Sequence, residues 1–179
     1  MAYTKQTWTN LPSETTPFSS ARMEHIEDGI YDANVSIGCA TAYISDSTTS
    51  SSTASTNQKI TLTQINSNTD KLTLSNGGIK IGSGISKVLV SGTARYYALS
   101  NAALGDRRLM IIKNSTSISR VFETRDTTDV RFLSLAITPI LIDVAENDII
   151  YLYSNSPQPS EEISSSSNNE TRLTIEVKG

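Results

Sequence analysis

From Lys59 onward, apolar and polar residues alternate in short segments, and this pattern constrains the fold more than any other feature of the chain. Asn-Gly, Gly-Asp and Asn-Asp pairs between the segments are typical of turns joining antiparallel strands. Since no helical periodicity interrupts the series, the sequence predicts an antiparallel β-sandwich or jelly roll. The candidate strands are Lys59–Ile65, Lys71–Ser75, Ile79–Ile81, Ser86–Ser91, Ala94–Leu99, Arg108–Lys113, Ser117–Glu123, Val130–Ile137, Ile140–Val144, Ile149–Tyr153 and Arg172–Lys178.

Several of these candidate strands are apolar on both faces. A two-layer sandwich buries only one face of each sheet, so an apolar second face needs another cover. We predict that copies of the domain cover one another, with Leu133, Leu135, Tyr151 and Tyr153 in the interface. The alternative is that loops of the same chain cover some of these strands.

A different period runs through residues 19–44, where apolar residues recur at alternating spacings of three and four. This is the heptad pattern of a coiled coil. Gly29 and Gly38 each weaken a helix by about 1 kcal/mol relative to Ala, so we expect association to hold this helix together. The alternative is a single amphipathic helix packed on its own domain. The seam residues are Met23, Ile26, Ile30, Ala33, Ile37, Ala40 and Ile44.

The remaining parts of the chain flank this helix. Residues 1–18 are rich in Thr, Ser and Pro, and they are expected to be extended. Trp8, Leu11 and Phe18 lie in this segment without a local core, which favours an anchor inserted into a partner. The alternative is a tail folded back on the helix. Residues 45–58 are rich in Ser and Thr and predict a linker, so the domain boundaries are 1–18, 19–44, 45–58 and 59–179.

Composition excludes several classes of function. The net charge of −3 provides no cationic surplus for a phosphate backbone, so we expect no nucleic-acid partner. No apolar run approaches the roughly 18 residues of a membrane-spanning helix. The start of the chain lacks the apolar core of a signal peptide, which predicts synthesis in the cytoplasm. The single cysteine, Cys39, is expected to be a free thiol, and the sequence predicts neither a metal site nor a cofactor.

The chain is predicted not to be an enzyme. His25 is the only histidine and falls on the outward side of the predicted helix, which argues against Ser-His-Asp and Cys-His catalysis. The carboxylates that lie close together in sequence fall at predicted turns, where solvated carboxylates are ordinary. Their alternative roles are a glycan hydrolase or, for Asp126 and Asp129 with Asn114, a calcium site. The pairs are Asp126 with Asp129, Glu161 with Glu162, and Asp143 with Glu146.

The N-terminal part resembles a segment that recurs in bacteriophage tail-fibre, baseplate and related appendage proteins. The resemblance is carried by Thr16-Pro17-Phe18, Ile26-Glu27 and Gly29-Ile30. In that group of proteins, such a stretch and the short helix after it mark the end nearest the virion. The resemblance therefore implies that residues 1–18 anchor the chain to other tail, baseplate or capsid proteins of a particle.

The C-terminal part is similar to C1q/TNF-like trimeric jelly rolls. The likeness is carried by four stretches, and it departs at Asn147-Asp148, where a Gly-Asp pair is usual. A heptad stretch also replaces the collagen stalk of C1q. The resemblance implies a homotrimer without enzymatic activity. The four stretches are Gly77–Ile79, Val88–Gly92, Asn147–Leu152 and Thr171–Glu176.

Together the two resemblances imply a trimeric fibre or spike located in the virion and made in the host cytoplasm. The outer loops of its head would then meet a bacterial-surface glycan or protein. The alternatives are a decorative fibre without a receptor, a small virion-associated glycan-degrading enzyme, and a secreted cytokine-like ligand, which the lack of a signal peptide disfavours. The candidate receptor-loop residues are Arg125, Asp126, Asp129, Glu161 and Glu162.

Overall fold

The structure is a computed structural model that describes residues 20–36, 38–45, 48–49, 55–97, 105–125, 132–157, 161–163 and 170–178. Within these residues, one helix is followed by a series of strands. In chain order they are α1 (Ser20–Ser36), β1 (Cys39–Tyr43), β2 (Thr48–Thr49), β3 (Gln58–Ile60), β4 (Gln64–Ser67), β5 (Leu72–Ser75), β6 (Gly78–Ile81), β7 (Lys87–Tyr97), β8 (Gly105–Lys113), β9 (Thr116–Arg125), β10 (Phe132–Asp143), β11 (Ile149–Asn155), β12 (Glu162–Ile163) and β13 (Arg172–Val177).

The strands form two antiparallel sheets that enclose one hydrophobic core. Sheet A has the order β4-β1-β13-β7-β10, with β12 also paired to β7 and β2 paired to β12. Sheet B has the order β5-β6-β11-β8-β9, with β3 paired to β11. Among the described strands, the chain changes sheet after β2, β3, β4, β6, β7, β9, β10 and β11. This arrangement confirms the predicted antiparallel jelly-roll sandwich.

Strand β7 shows how period-two alternation builds the core. Val88, Val90, Gly92, Ala94 and Tyr96 are buried, and the residues that alternate with them lie on the outer face of sheet A. A Cβ atom at Gly92 would lie only 2.8 Å from the Cδ1 atom of Leu152 in sheet B. A larger residue here would require the Leu152 side chain to move, and two predicted strands continue through this glycine as one.

Strand β10 likewise joins two predicted strands. Its register with β7 shifts between Ile137 and Ile140, where Pro139 interrupts the regular pairing. Proline has no N–H to donate, so it is tolerated in a sheet at an edge strand or a bulge. Pro139 lies at such a bulge, and β10 is an edge strand of sheet A. In contrast, the predicted strand Lys59–Ile65 is divided between β3 in sheet B and β4 in sheet A.

The helix is shorter than the heptad pattern predicts. It ends at Ser36, and the carbonyl oxygen of Gly38 accepts a hydrogen bond from the N–H of Val177 at 2.7 Å. Ala40 lies in β1, and both Ala40 and Ile44 belong to the core of the sandwich. The coiled-coil assignment is therefore wrong for this part of residues 19–44, because Gly38 favours the end of the helix and the strand buries these side chains in its own domain.

The sandwich begins before the predicted boundary at residue 59. Strand β1 lies between β13 and β4, and both sides of it are hydrogen-bonded. Strand β2, in the predicted linker of residues 45–58, pairs with β12 through Thr49 and Glu162. Parts of the predicted stalk and linker are thus strands of the jelly roll. The only helix in the described part of the chain is neither long nor apolar enough to span a membrane.

Candidate functional site

The predicted receptor-loop residues do not form one surface. Glu161 was expected in a solvated loop, but it is buried and paired with Arg107. Glu162 is half-buried in β12, next to Tyr97 in the ladder. Arg125 ends β9, and its side chain lies outside the description. Outside the described residues lie Asp126 and Asp129.

A buried ion pair between Arg107 and Glu161 lies at the end of the sandwich where β8 begins. The Nε atom of Arg107 donates to both carboxylate oxygens of Glu161, at 3.1 and 3.2 Å, and Nη2 donates to Oε1 at 3.0 Å. Nη1 donates to the carbonyl oxygen of Gly105 at 3.0 Å, and the hydroxyl of Ser156 donates to Glu161. Since both charged side chains are almost completely excluded from solvent, this carboxylate is a structural group and the receptor assignment of Glu161 is wrong.

Tyr96 extends this polar network toward the outer face of sheet B. Its hydroxyl donates to the carbonyl oxygen of Arg108 at 2.7 Å. Burial, and next the negative charge of Glu161, raise the pKa of Tyr96 well above its ordinary value. The network therefore fixes the backbone of β8 on its inner side.

The four residues predicted for the trimer interface separate into two groups. Leu135 is 3% exposed in the core, and Leu133 packs against the same core. Both face inward because β10 places its alternate residues Leu133, Leu135 and Ile137 opposite buried positions of β7. Their assignment to an interface between copies is therefore wrong for Leu135 and unsupported for Leu133.

Tyr151 and Tyr153 instead lie on the outer face of sheet B. Their rings meet edge to face with centroids 6.3 Å apart, and the ammonium group of Lys59 lies 5.3 Å from the centroid of the Tyr151 ring. Tyr151 is only 9% exposed within the single chain. An interface role for these two residues stays a prediction.

A small hollow opens on the same outer face, at the strands nearest the edge of sheet B. We call it the arginine hollow, and its volume is about 150 Å³. Phe122 is 61% exposed there, more than the other large apolar side chains of the described residues. Arg108, Arg120 and Phe122 fall in candidate strands of the sequence and Asp106 in a predicted turn, and no sequence pattern brings the four residues together. The lining residues are Asp106, Arg108, Arg120 and Phe122.

A second polar cluster connects the turn between β8 and β9 to the turn between β10 and β11. The carboxylate of Asp148 accepts hydrogen bonds from the N–H of Ala145 at 2.9 Å and from the side-chain amide of Asn114 at 2.8 Å. Partial burial acts to raise the pKa of Asp148, but these hydrogen bonds and the charge of Lys113 lower it below its ordinary value. Asn147 has a φ of 71°, a left-handed conformation that Asn tolerates, which explains how it can stand where Gly is usual.

The seam residues that remain in the helix are largely uncovered. Ile26 is 48% exposed and Ile30 is 45% exposed, whereas Met23 is half-buried. His25 is also exposed on α1. Ala33 lies in α1, but its side chain is outside the description. Outside the described residues lie Trp8, Leu11, Phe18 and Ile37.

Among the described residues, no group of three or more His, Cys, Asp or Glu side chains is placed to hold a metal ion. The expectations of no metal, no cofactor and no enzymatic activity stay predictions.

Comparisons with known proteins reveal similarity in structure but not in sequence. No protein family and no curated protein matches the chain in sequence. Murine APRIL at pH 5.0 is similar in structure, with a TM-score of 0.58 and 10% identity over 79% of this chain and 98% of the APRIL chain. The fold is a TNF-like jelly roll. The Eiger TNF from S. frugiperda is also similar, with a TM-score of 0.58 and 8% identity over 79% of this chain and 91% of its own.

These similarities confirm the TNF-like jelly roll that the C-terminal stretches implied. At 8 to 10% identity, they extend to the fold alone, because one jelly roll serves many unrelated functions. The function of this TNF-like domain has to be argued from its own exposed side chains.

Proposed function

We propose that the chain is a non-enzymatic, trimeric virion appendage protein that is attached by its N-terminal segment and presents its jelly roll to a host surface. The observation that carries this proposal is the exposure of Ile26 and Ile30 on a helix directly before the jelly roll. Apolar seam residues that one chain leaves in water gain stability when copies of the helix cover them. The N-terminal resemblance to bacteriophage appendage segments supports the particle as the site of attachment.

The sandwich carries its own exposed apolar side chain for contact between copies. Leu141 is 58% exposed on β10, the edge strand of sheet A. Its partner in the register, Leu89 of β7, is half-buried on the same outer face. We infer that copies pack on this outer face of sheet A rather than through Leu133 and Leu135. The likeness to trimeric C1q/TNF-like jelly rolls favours three copies.

The first prediction concerns the assembly. Light scattering of the full chain should give three times the 19.4 kDa of one chain. Leu141→Asp should shift the mass toward the monomer, because a charge in a contact between copies loses hydration without gaining a partner. Ile30→Asp should reduce the helical signal in circular dichroism and leave the jelly roll folded.

The matched control is Phe122→Asp, which changes a similarly exposed side chain on the outer face of the other sheet. It should keep the mass of the unmodified protein. A monomeric mass for the full chain would contradict the trimer, and an unchanged mass for Leu141→Asp would contradict the proposed contact face.

The second prediction tests attachment to the particle. A variant that lacks residues 2–18 should be absent from purified particles, because it has lost the apolar anchors Trp8, Leu11 and Phe18. A chain carrying Phe122→Ala should be incorporated normally and serves as the control. Normal incorporation of the shortened chain would show that the N-terminal segment is not the anchor. Unchanged host adsorption by particles that lack the whole protein would favour a decorative fibre.

A further inference from the structure

The arginine hollow combines an exposed aromatic ring with two cations and one anion on the outer face of sheet B. Arg108 of β8 lies opposite Phe122 of β9 in the strand register, and Arg120 lies opposite Met110. Asp106 precedes Arg108 by two residues and therefore lies on the same face. The guanidinium of Arg108 lies 3.7 Å from the carboxylate of Asp106. The four side chains thus form one compact group across two paired strands.

The backbone beneath the arginine hollow is held from the inner side of the sheet. Arg107, between Asp106 and Arg108, is fully buried and paired with Glu161. The hydroxyl of Tyr96 holds the carbonyl oxygen of Arg108. Because the lining residues sit on paired strands and a buried network supports one of these strands, the spacing of their backbone positions is fixed before a ligand arrives. A preformed site loses less free energy on ordering when it binds.

We propose that the arginine hollow binds a carboxylated sugar unit of a surface polysaccharide, an inference that rests on the proposed host-recognition function. The face of an aromatic ring carries partial negative charge and attracts the slightly positive C–H groups of a sugar ring. Guanidinium groups pair with carboxylates through two parallel hydrogen bonds. The carboxylate of Asp106 can accept hydrogen bonds from sugar hydroxyls.

The volume of the arginine hollow and the charges of its lining residues limit the class of ligand that it can bind. The volume of about 150 Å³ is smaller than the roughly 300–1,000 Å³ of sites for drug-sized molecules, so it suits one sugar ring at a time. Two arginines against one aspartate leave a single surplus positive charge on a chain whose net charge is −3. That surplus matches one carboxylate, and it is too small to bind a nucleic-acid backbone.

The third prediction tests this site by calorimetry on the full chain, with trigalacturonate as the probe. The unmodified protein should bind trigalacturonate and should bind its fully methyl-esterified form at least about tenfold more weakly, a difference equivalent to about 1.4 kcal/mol. Phe122→Ala and Arg120→Gln should each weaken trigalacturonate binding by about the same factor, because they remove the ring contact and one cation.

One control changes a matched residue on the other sheet. Arg172→Gln removes an exposed arginine and should leave the affinity unchanged. No binding of trigalacturonate, equal binding of its methyl ester, or full affinity in Phe122→Ala would overturn the proposal. Tighter binding of a sulfated trisaccharide would overturn the assignment to carboxylated sugars.

The proposed site and the proposed assembly can fail separately. A trimer that does not bind trigalacturonate would contradict the sugar site and leave the appendage function standing. A monomer that binds it through Phe122 and Arg120 would contradict the trimeric appendage and leave the site standing.

Discussion

Removal of residues 1–36 is expected to leave a folded jelly roll, whereas removal of residues 1–57 is expected to destroy it. The difference between the two shortened chains includes β1, which lies between β13 and β4 in sheet A. Without β1, the facing edges of β13 and β4 lose their backbone partners. The core also loses Ala40, Ala42 and Ile44, all of which are almost fully buried.

The expected loss exceeds what a domain of this size can tolerate. Natural domains are stable by only about 5–15 kcal/mol in total, and each backbone hydrogen bond contributes about 0.5–1.5 kcal/mol net. Loss of the ladders on both sides of β1, together with three buried core side chains, therefore removes free energy comparable to the whole stability of the fold. Because α1 lies outside the two sheets, its removal should affect assembly more than folding.

Thermal unfolding followed by circular dichroism would measure the difference. The chain that begins at residue 37 should show a β-sheet spectrum and a cooperative transition, and the chain that begins at residue 58 should show neither. A point variant provides a control for chain length: Ala42→Asp in the longer of the two should also abolish the transition, because it buries an unpaired charge. A cooperative transition in the chain of residues 58–179 would contradict the assignment of β1 to the core.

The alternation of apolar residues was sufficient to predict the sandwich, because buried and exposed positions differ most clearly in strands with one face in water. The residue types at the turns were equally informative about where the strands end. Asn76-Gly77 joins β5 to β6 with both residues in left-handed conformations, at φ angles of 49° and 75°. This is the backbone that an Asn-Gly pair favours in a two-residue hairpin.

The extent of the helix could not be predicted as well, because residues four apart share a face in both regular structures. Ala40 and Ile44 would lie on one side of a helix with 3.6 residues per turn, and they also lie on one side of a strand. The heptad spacing of apolar residues therefore extended into the residues of β1, where it fitted a strand as well as a helix. Ala42 was the informative residue, since it is apolar and buried between them, where a heptad does not require an apolar side chain.

The candidate site could not be predicted from local sequence patterns, because it depends on contacts between segments that are distant in sequence. Glu161 lies among Ser, Pro and Asn residues, and its partner Arg107 is 54 residues away. The arginine hollow depends on the register that places Arg108 opposite Phe122. One signal would have needed a longer predicted strand. Strand β8 begins at Gly105 rather than at the predicted Arg108, and in a strand that contains both, adjacent Arg107 and Arg108 must point to opposite faces.

The second large effect is expected in the free energy of unfolding, and it concerns the buried pair of Arg107 and Glu161. Arg107→Met should lower the free energy of unfolding by about 3–5 kcal/mol, because it leaves the carboxylate of Glu161 buried without its cation. The double variant Arg107→Met with Glu161→Leu should lose less than the single variant, since replacing a whole buried pair by apolar side chains is often close to neutral. Urea unfolding of the full chain at one fixed protein concentration would measure both changes.

The exposed pair of Lys87 and Asp143 provides the control. Its charged atoms are 4.0 Å apart and its side chains are 55% and 87% exposed, so Lys87→Met should change stability by only about 0–1 kcal/mol. The contrast isolates burial as the cause, because both substitutions replace one cation of an ion pair by the same apolar residue. Equal unfolding midpoints for Arg107→Met and the unmodified chain would show that water reaches Glu161. The backbone of Arg108 under the arginine hollow would then not be held by a buried network, and its preformed geometry would need another cause.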